Sequence, residues 1–358
     1  MDINFKIKMN KQSGAKYTSL MNTIASSSLA CLGLIYIGGG AFSFVSVISR
    51  AVFGDTVAFD FIYLVINCIV SFLMVYLPIK LFNFMKDGAY TDEYMPVEKN
   101  ILDKSIVPYV FLLGLSATFI VALLNNAITD QFLDYSGYGD DYLWRVGLRY
   151  NYQILIYIFT ASVVPAIVEE LFCRKAMCDA LAPYGPKTAI IISSLVFALL
   201  HANFSMFLYT FVGGIFKGWL YVGTKNIKIA MANHFVNNLL GALATVVYYR
   251  VSEDAYISFL AVRLTISVIV GIVCFMSLKT HKKATETARI EQAKEDGTYE
   301  EYIAHKVKYA KSLEMLPNEN GEEITPLTRK EKIKGFFSPV MLIFIVVTMI
   351  IAFTKIIS

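Results

Sequence analysis

The chain carries little charge for its length of 358 residues. Aspartate, glutamate, lysine and arginine make up 17% of the sequence, whereas hydrophobic residues make up 56%. Soluble domains typically contain about 25% charged residues, so this composition excludes a water-soluble enzyme. The net charge of +4 is modest, and the basic residues cluster between apolar segments. That pattern is typical of membrane orientation and argues against a nucleic-acid partner.

Several familiar signatures are also missing. The five cysteines are odd in number and form no CxxC pair, so they indicate neither a disulfide framework nor a zinc knuckle. We interpret them as small, buried packing residues. The sequence contains neither HExxH nor GxSxG, the motifs of two large hydrolase classes.

Long apolar runs are the main feature that is present. A bilayer core of about 30 Å needs about 20 apolar residues per helix, and its backbone groups must be paired within the segment or in a closed barrel. Unbroken runs, rather than short alternating ones, favour helices. We therefore predict an all-α, polytopic transmembrane bundle of eight or nine spans. The candidate spans are Ala25–Ile48, Phe59–Phe82, Ile106–Ala127, Tyr152–Ala182, Thr188–His201, Phe204–Val222, Ile229–Tyr248, Ile257–Leu278 and Phe337–Phe353.

The predicted spans divide the chain into five parts. Residues 1–150 form an N-terminal membrane region with three spans, and residues 151–250 form a membrane core. Residues 251–278 add a further span. Residues 279–335 are a polar insert of mixed charge, which we interpret as solvated helix plus linker with a break near Pro317. Residues 336–358 form the C-terminal span.

Lysines lie in alternate loops, and the positive-inside rule therefore places the N-terminus and the polar insert in the cytoplasm. The acidic loop after the third span is expected outside. The lysines expected inside are Lys86, Lys99, Lys104, Lys175, Lys187, Lys225 and Lys228, and the acids expected outside are Asp130, Asp134, Asp140 and Asp141.

The fourth span contains the ionisable residues Glu169, Glu170 and Arg174 in an otherwise apolar stretch. Such residues cost about 2.5–3.5 kcal/mol each and indicate a functional site. Glu170 and Arg174 are four residues apart on one helix face, in the order that favours an ion pair. Glu169 lies about 100° around the helix and has no such local partner. The geometry therefore favours Glu170 as the structural carboxylate and Glu169 as the reactive one, with Pro165 kinking the helix just before them.

Two of the four histidines also lie in or at the ends of apolar spans. His201 shares a helix face with Phe197, and His234 shares one with Asn238, because each pair is four residues apart. A single membrane histidine is more often a hydrogen-bonding partner between helices than a catalyst. Two histidines with an asparagine and two adjacent acids favour a reactive site.

The predicted depths of Glu169, His201 and His234 in the membrane agree only loosely. At 1.5 Å per residue, Glu169 and His201 each lie about 20 Å from the nearer cytoplasmic helix end, but His234 lies only about 10 Å from its own. They can meet at mid-depth, open to the cytoplasm, only if the seventh helix starts below the membrane surface. Lys217 in the sixth span is expected to extend to the cytoplasmic side. Gly213, Gly214 and Gly218 in the same span predict a close helix contact.

Together, Glu169-Glu170-x-x-x-Arg174, Phe197-x-x-x-His201 and His234-x-x-x-Asn238 resemble, in order and spacing, the three motifs of the CPBP family. That family includes CAAX prenyl proteases and bacterial bacteriocin-processing and self-immunity proteins.

The resemblance implies that residues 151–250 are the catalytic core of an α-helical intramembrane peptidase. It assigns water activation to Glu169 and His201, and oxyanion binding to His234 and Asn238. Glu170, Arg174 and Phe197 have supporting roles. It also favours a bacterial plasma membrane, with a peptide or membrane-protein substrate held in the lipid bilayer.

Three alternatives stay open at this stage. No cofactor is favoured, but Glu169, His201 and His234 are also a possible catalytic zinc set; Asn238 would be a poor zinc ligand. The chain could instead bind a peptide without cutting it, as a bacteriocin-immunity protein would. A transporter with a buried proton relay is the third, although such proteins usually show repeated halves and this sequence shows none.

Overall fold

Helices account for the regular structure throughout the part of the chain that the structure, a computed structural model, describes. That part comprises residues 3–54, 57–87, 102–133, 148, 150–300 and 327–357, and it contains no strand. The helices are α1 (Ile3–Phe53), α2 (Val57–Asp87), α3 (Val107–Leu133), α4 (Asn151–Leu181), α5 (Pro186–Leu200), α6 (Phe204–Thr224), α7 (Ile227–Arg250), α8 (Glu253–Glu295), α9 (Arg329–Phe336) and α10 (Pro339–Ile357). The predicted all-α membrane bundle is confirmed.

Each predicted span coincides with one helix, but the number of spans stays a prediction. Four helices within the described residues are long and apolar enough to cross a membrane. A fifth span results if α9 and α10, which meet at an angle of 61°, are counted together. Helix α5 has only 15 residues, about 22 Å at 1.5 Å per residue. It is therefore shorter than a hydrocarbon core of about 30 Å.

The boundary predicted at residue 278 does not end a helix. Helix α8 continues without a break to Glu295, because the residues that follow the apolar span are rich in good helix formers such as lysine, glutamate and alanine. The first part of the polar insert is therefore a helical extension of the eighth span. The predicted break near Pro317 lies outside the described residues.

Helix α6 packs against α3, α5 and α7 and occupies a central position among the helices that carry the motifs. Its small residues allow the close approach that their spacing predicts. A Cβ atom on Gly214 would lie 2.9 Å from the Cβ of Ser194 on α5, and one on Gly218 would lie 3.2 Å from Ile190 Cγ2. A side chain at Gly214 would therefore require Ser194 to shift, and one at Gly218 would require Ile190 to give by a few tenths of an ångström.

Helix α4 is wound irregularly around the two glutamates. Two π-helical segments, Phe159–Val163 and Leu171–Cys178, flank an α-helical segment, Val164–Glu170, that begins with Pro165 near its N-terminus. Departures of this kind are frequent at functional sites. They rotate the side chains that follow away from the directions a regular helix would give. The missing N–H of Pro165 leaves the carbonyl of Ala161, in the first of these segments, without its α-helical partner.

The turn between α5 and α6 is buried in the bundle. His201 ends α5, Ala202 has a positive φ of 44° with only 2% of its surface exposed, and the Asn203 side chain accepts a hydrogen bond from Ser205 N as the N-cap of α6. Asn125 on α3 donates to the Ser205 carbonyl at 2.6 Å. Irregular backbone at membrane depth is tolerated only where protein covers it, and these contacts provide that cover.

Candidate functional site

The ion pair predicted from spacing is present and fully enclosed. Arg174 Nε lies 3.2 Å from Glu170 Oε2, and neither side chain is exposed. Arg174 also donates from Nη2 to the carbonyl of Gly214 at 3.3 Å. The close contact at Gly214 thus brings a backbone acceptor of α6 within reach of a guanidinium on α4. Such pairing is required for charges in an apolar interior.

His234 joins both glutamates from α7. Its Nδ1 lies 2.8 Å from Glu170 Oε1, and its Nε2 lies 3.7 Å from Glu169 Oε2. A carboxylate can only accept hydrogen bonds, so Nδ1 carries the proton of the shorter contact. The longer distance exceeds a hydrogen bond. Glu169 keeps 32% of its side chain accessible, whereas Glu170 has none, so only Glu169 is open to water and substrate.

The depth discrepancy is thereby removed, because the structure brings Glu170 and His234 into direct contact. The π-helical segment Leu171–Cys178 lies between Glu170 and the C-terminal end of α4, which is the end predicted to be cytoplasmic. A wider helical turn rises less per residue, so the glutamates lie closer to that end than a regular α-helix would place them.

The ring of Phe197 contacts three polar side chains of the site. This ring contacts the rings of His201 and His234 edge-on, with centroids 4.9 Å and 5.9 Å away. The guanidinium carbon of Arg174 lies 5.0 Å from the same centroid. His201 Nδ1 is 2.8 Å from the Phe197 carbonyl oxygen, so Nδ1 is the donor and Nε2 is left for another partner.

The expectation that Lys217 reaches the cytoplasmic side is wrong. Lys217 is 4% exposed, and its Nζ lies 4.6 Å from the centroid of Phe197. Side chains on a helix point towards its N-terminus, which for α6 is away from the predicted cytoplasmic end. Gly213, one turn earlier, faces Thr118 on α3, where a Cβ would lie 3.1 Å from Oγ1. Spacing along α6 gives no sequence signal for the buried position of Lys217.

Asn238 lies one turn beyond His234, where its Nδ2 donates to the carbonyl of Ala161 at 3.3 Å. Ala161 is four residues before Pro165, which has no N–H to bond that carbonyl in an α-helix. Asn238 therefore ties α7 to the irregular part of α4. Its Oδ1 accepts from Asn237 Nδ2 at 3.4 Å.

The candidate zinc ligands do not form a metal-binding set in this arrangement. Glu169 and His234 are adjacent, whereas no hydrogen bond or ion pair joins His201 to either residue among the described contacts. Over the described ranges, no three His, Cys, Asp or Glu side chains come together as metal ligands.

Comparison with known proteins gives one match, and it falls on the site. A family model described as Rce1-like, type II CAAX prenyl endopeptidase, matches residues 151–240. A search of curated proteins and a search of solved structures each found no match. The matched range holds all three motifs and the helices from α4 to most of α7. The resemblance to the CPBP family that the three motifs predict is thus confirmed over residues 151–240.

Proposed function

We propose that this chain is an intramembrane endopeptidase that hydrolyses a peptide bond of a membrane-associated or hydrophobic peptide. The observation that carries the proposal is the position of Glu169, a partly accessible carboxylate 3.7 Å from a histidine that a second, buried carboxylate orients. A water molecule can contact Glu169 Oε2 and His234 Nε2 together at that separation, since each contact needs about 2.8 Å. The family match supports the same reaction.

In the proposed reaction, Glu169 accepts a proton from this water, and the water oxygen attacks the scissile carbonyl carbon. The carbonyl π electrons move to oxygen and form a tetrahedral oxyanion. Glu169 then gives its proton to the departing amine as the C–N bond breaks, which leaves a carboxylic acid and an amine. General base catalysis of this kind typically contributes about 10²–10⁴-fold to the rate.

The histidines have distinct proposed roles. His201 presents Nε2 and can position the water, because its Nδ1 is held by the Phe197 carbonyl. His234 and Asn238 are proposed to bind the oxyanion. Neutral His234 with Nδ1–H bonded to Glu170 has only a lone pair at Nε2, so it can donate to an oxyanion only as imidazolium. Glu170 and Glu169 are both placed to stabilise that cation.

The metal-free reaction is the one proposed, since Asn238 is a poor zinc ligand and the three candidate ligands are not assembled. The substrate class follows the family description: the natural candidates are prenylated CAAX tails, with leader peptides and membrane-protein tails as further ones. The lipid bilayer is the medium in which such substrates reach the site.

The test compares wild-type protein with Glu169→Gln in proteoliposomes. The probe is a farnesylated CAAX-type peptide with a fluorophore and a quencher on opposite sides of the scissile bond, supplemented by proteomic comparison of cells expressing either form. Cleavage by wild type and its loss in Glu169→Gln supports the proposal. Peptide binding without cleavage by either form would instead identify a non-catalytic immunity protein, and proton-coupled flux without cleavage would identify a transporter.

A further inference from the structure

Lys217 lies in the cluster of polar side chains around Phe197, and the three motifs give it no role. The other members of this cluster are Glu169, Glu170, Arg174, His201 and His234. Lys217 lies within α6, 4% exposed, with its ammonium over the ring of Phe197. The same ring also contacts Arg174, His201 and His234. A lysine is a compact, strongly hydrated point charge, so its burial among these groups calls for a compensating anion.

The protein supplies no such anion at bonding distance. Within the described part of the chain, no carboxylate lies within ion-pair distance of Lys217 Nζ, and no side chain or carbonyl accepts a hydrogen bond from it. The nearest feature that holds the ammonium is the face of Phe197, at 4.6 Å. A cation over an aromatic face is attracted to it, but the three N–H donors of Lys217 are still unbonded.

The two groups proposed to bind the oxyanion are less readily available. Asn238 Nδ2 is bonded to the Ala161 carbonyl, and His234 can donate from Nε2 only as imidazolium, because its Nδ1 is bonded to Glu170. Arg174 is paired with Glu170 and donates from Nη2 to Gly214, although its Nη1 has no hydrogen-bond partner. Among the described residues, Lys217 is therefore the cation of this cluster that has no ion pair and can meet new negative charge.

We infer that Lys217 is a further catalytic residue, whose ammonium binds the carbonyl oxygen of the scissile bond as it becomes an oxyanion. The inference rests on the proposed peptidase function and adds to it. Preorganised donors aimed at developing charge act most strongly in a site that excludes water, and an enclosed ammonium meets that condition. The oxyanion forms only during the reaction, so the Lys217 ammonium has no ion-pair partner among the described residues before substrate reacts.

The experiment compares Lys217→Met and Lys217→Arg with wild type on the farnesylated fluorogenic peptide in proteoliposomes, with melting temperature measured on the same preparations. Methionine keeps the length of the side chain and removes the charge. Arg263→Met is the matched control, because Arg263 on α8 also lies over an aromatic ring, that of Phe119, at 3.9 Å, and has no role in the proposed site.

The expected result is a fall in kcat of about 10²–10³-fold for Lys217→Met, with KM and melting temperature near wild type. Lys217→Arg should recover part of kcat, and Arg263→Met should leave it unchanged. The melting temperature should hold because replacing an unpaired buried charge by an apolar side chain is neutral or stabilising.

Three results would overturn the inference. A lower melting temperature with normal kcat in the folded fraction would make Lys217 a structural counter-charge to the glutamates. A higher KM with unchanged kcat, matched by the effect of amidating the peptide C-terminus on wild type, would make it an anchor for a substrate carboxylate. If wild type and Arg263→Met both fail to cleave any peptide, the peptidase proposal itself falls and the inference with it, whereas normal cleavage by Lys217→Met removes the inference alone.

Discussion

Glu170 Oε1 lies 2.8 Å from His234 Nδ1, although the two residues are 64 positions apart in the chain. The same carboxyl group contacts Arg174 through its other oxygen. Glu170 thus joins α4 to α7 and fixes which nitrogen of His234 faces the reactive side. A carboxylate behind a functional histidine commonly orients the ring in this way and sets its tautomer. The adjacent glutamates therefore differ in their contacts. Glu170 is bonded to His234 and paired with Arg174, whereas Glu169 lies 3.7 Å from His234 Nε2.

The first prediction concerns these two acids. Glu169→Gln should reduce kcat by about 10²–10⁴-fold, since it removes the proposed base, and should leave the melting temperature near that of wild type. Glu170→Gln should destabilise the protein by about 3–5 kcal/mol, because Arg174 then keeps a buried charge without its partner. Thermal unfolding in detergent and cleavage of the fluorogenic peptide measure the two effects.

Glu170→Gln combined with Arg174→Met is the control for this assignment. Removing both charges should recover a large part of the lost stability, since an apolar replacement of a buried pair is often tolerated. It should not recover full activity, because His234 has still lost the carboxylate that orients it. If Glu169→Gln unfolds the protein while Glu170→Gln only inactivates it, the two roles have been assigned the wrong way round.

The second prediction concerns Asn238. If Asn238 donates a hydrogen bond to the oxyanion, Asn238→Ala should reduce kcat by about 10²–10³-fold and change KM little. As the partner of the Ala161 carbonyl, it should instead affect the melting temperature. We expect both effects, because the Asn238 side chain is bonded to the irregular part of α4 and lies one turn from His234 on α7.

Asn233→Ala separates the two contributions, because Asn233 on the same helix donates to the Phe111 carbonyl at 2.9 Å and lies outside the proposed site. Its loss should lower the melting temperature by a similar amount and leave kcat intact. Equal kcat in the two variants would remove Asn238 from the catalytic site.

The sequence predicted the parts of the site that depend on spacing along one helix. The Glu170–Arg174 pair and the shared face of Phe197 and His201 follow from a separation of four residues, and both contacts are present. The contact of Glu170 with His234 depends on the tilt and winding of two helices, which spacing within each helix does not determine.

Two features could not be read from spacing at all. The π-helical winding of α4 depends on which backbone carbonyls find partners on neighbouring helices, as the Ala161 carbonyl does with Asn238. Lys217 was assigned to the cytoplasmic surface because lysines in spans usually extend outwards. Its ammonium lies instead over the ring of Phe197, a contact between two helices that spacing within α6 does not determine.

The third prediction concerns orientation. If the N-terminus is cytoplasmic, a cysteine at Asp254, at the exposed start of α8, should react with a membrane-impermeant maleimide in intact cells. A cysteine at Asp296, just beyond the end of α8, should react only after permeabilisation. The background is a chain with its five cysteines replaced. Labelling of Asp296→Cys from outside would show that the orientation or the number of spans is wrong.

The fourth prediction concerns the N-terminal end of α3. The pKa of the Asp103 carboxyl group is held below its usual value by the backbone N–H and hydroxyl of Ser105, with His281 on α8 adding to the effect. Its contribution to local stability is therefore present above about pH 4 and is lost as pH falls through the lowered pKa. Hydrogen exchange of Lys104–Ile106 should be faster in Asp103→Asn than in wild type near neutral pH, and the difference should vanish in acid. Asp296→Asn, at an exposed site, should show no difference at any pH.

The last prediction concerns metal. The zinc version of the reaction needs Glu169, His201 and His234 on one ion with water in the fourth position, and each ligand nitrogen must offer a lone pair. His201 Nε2 and His234 Nε2 could do so, because both Nδ1 atoms are engaged elsewhere, but no three-ligand group is assembled in the described residues. We therefore expect cleavage of the fluorogenic peptide to be unchanged after dialysis against a strong chelator, and zinc in the purified protein to be far below one ion per chain by mass spectrometry.

His201→Ala should lower kcat in the same way with or without added Zn²⁺, since a residue that only positions water has no metal to lose. Activity that disappears on chelation and returns with Zn²⁺ would establish the metal-dependent reaction instead, and it would require α5 and α7 to move closer together when the ion binds.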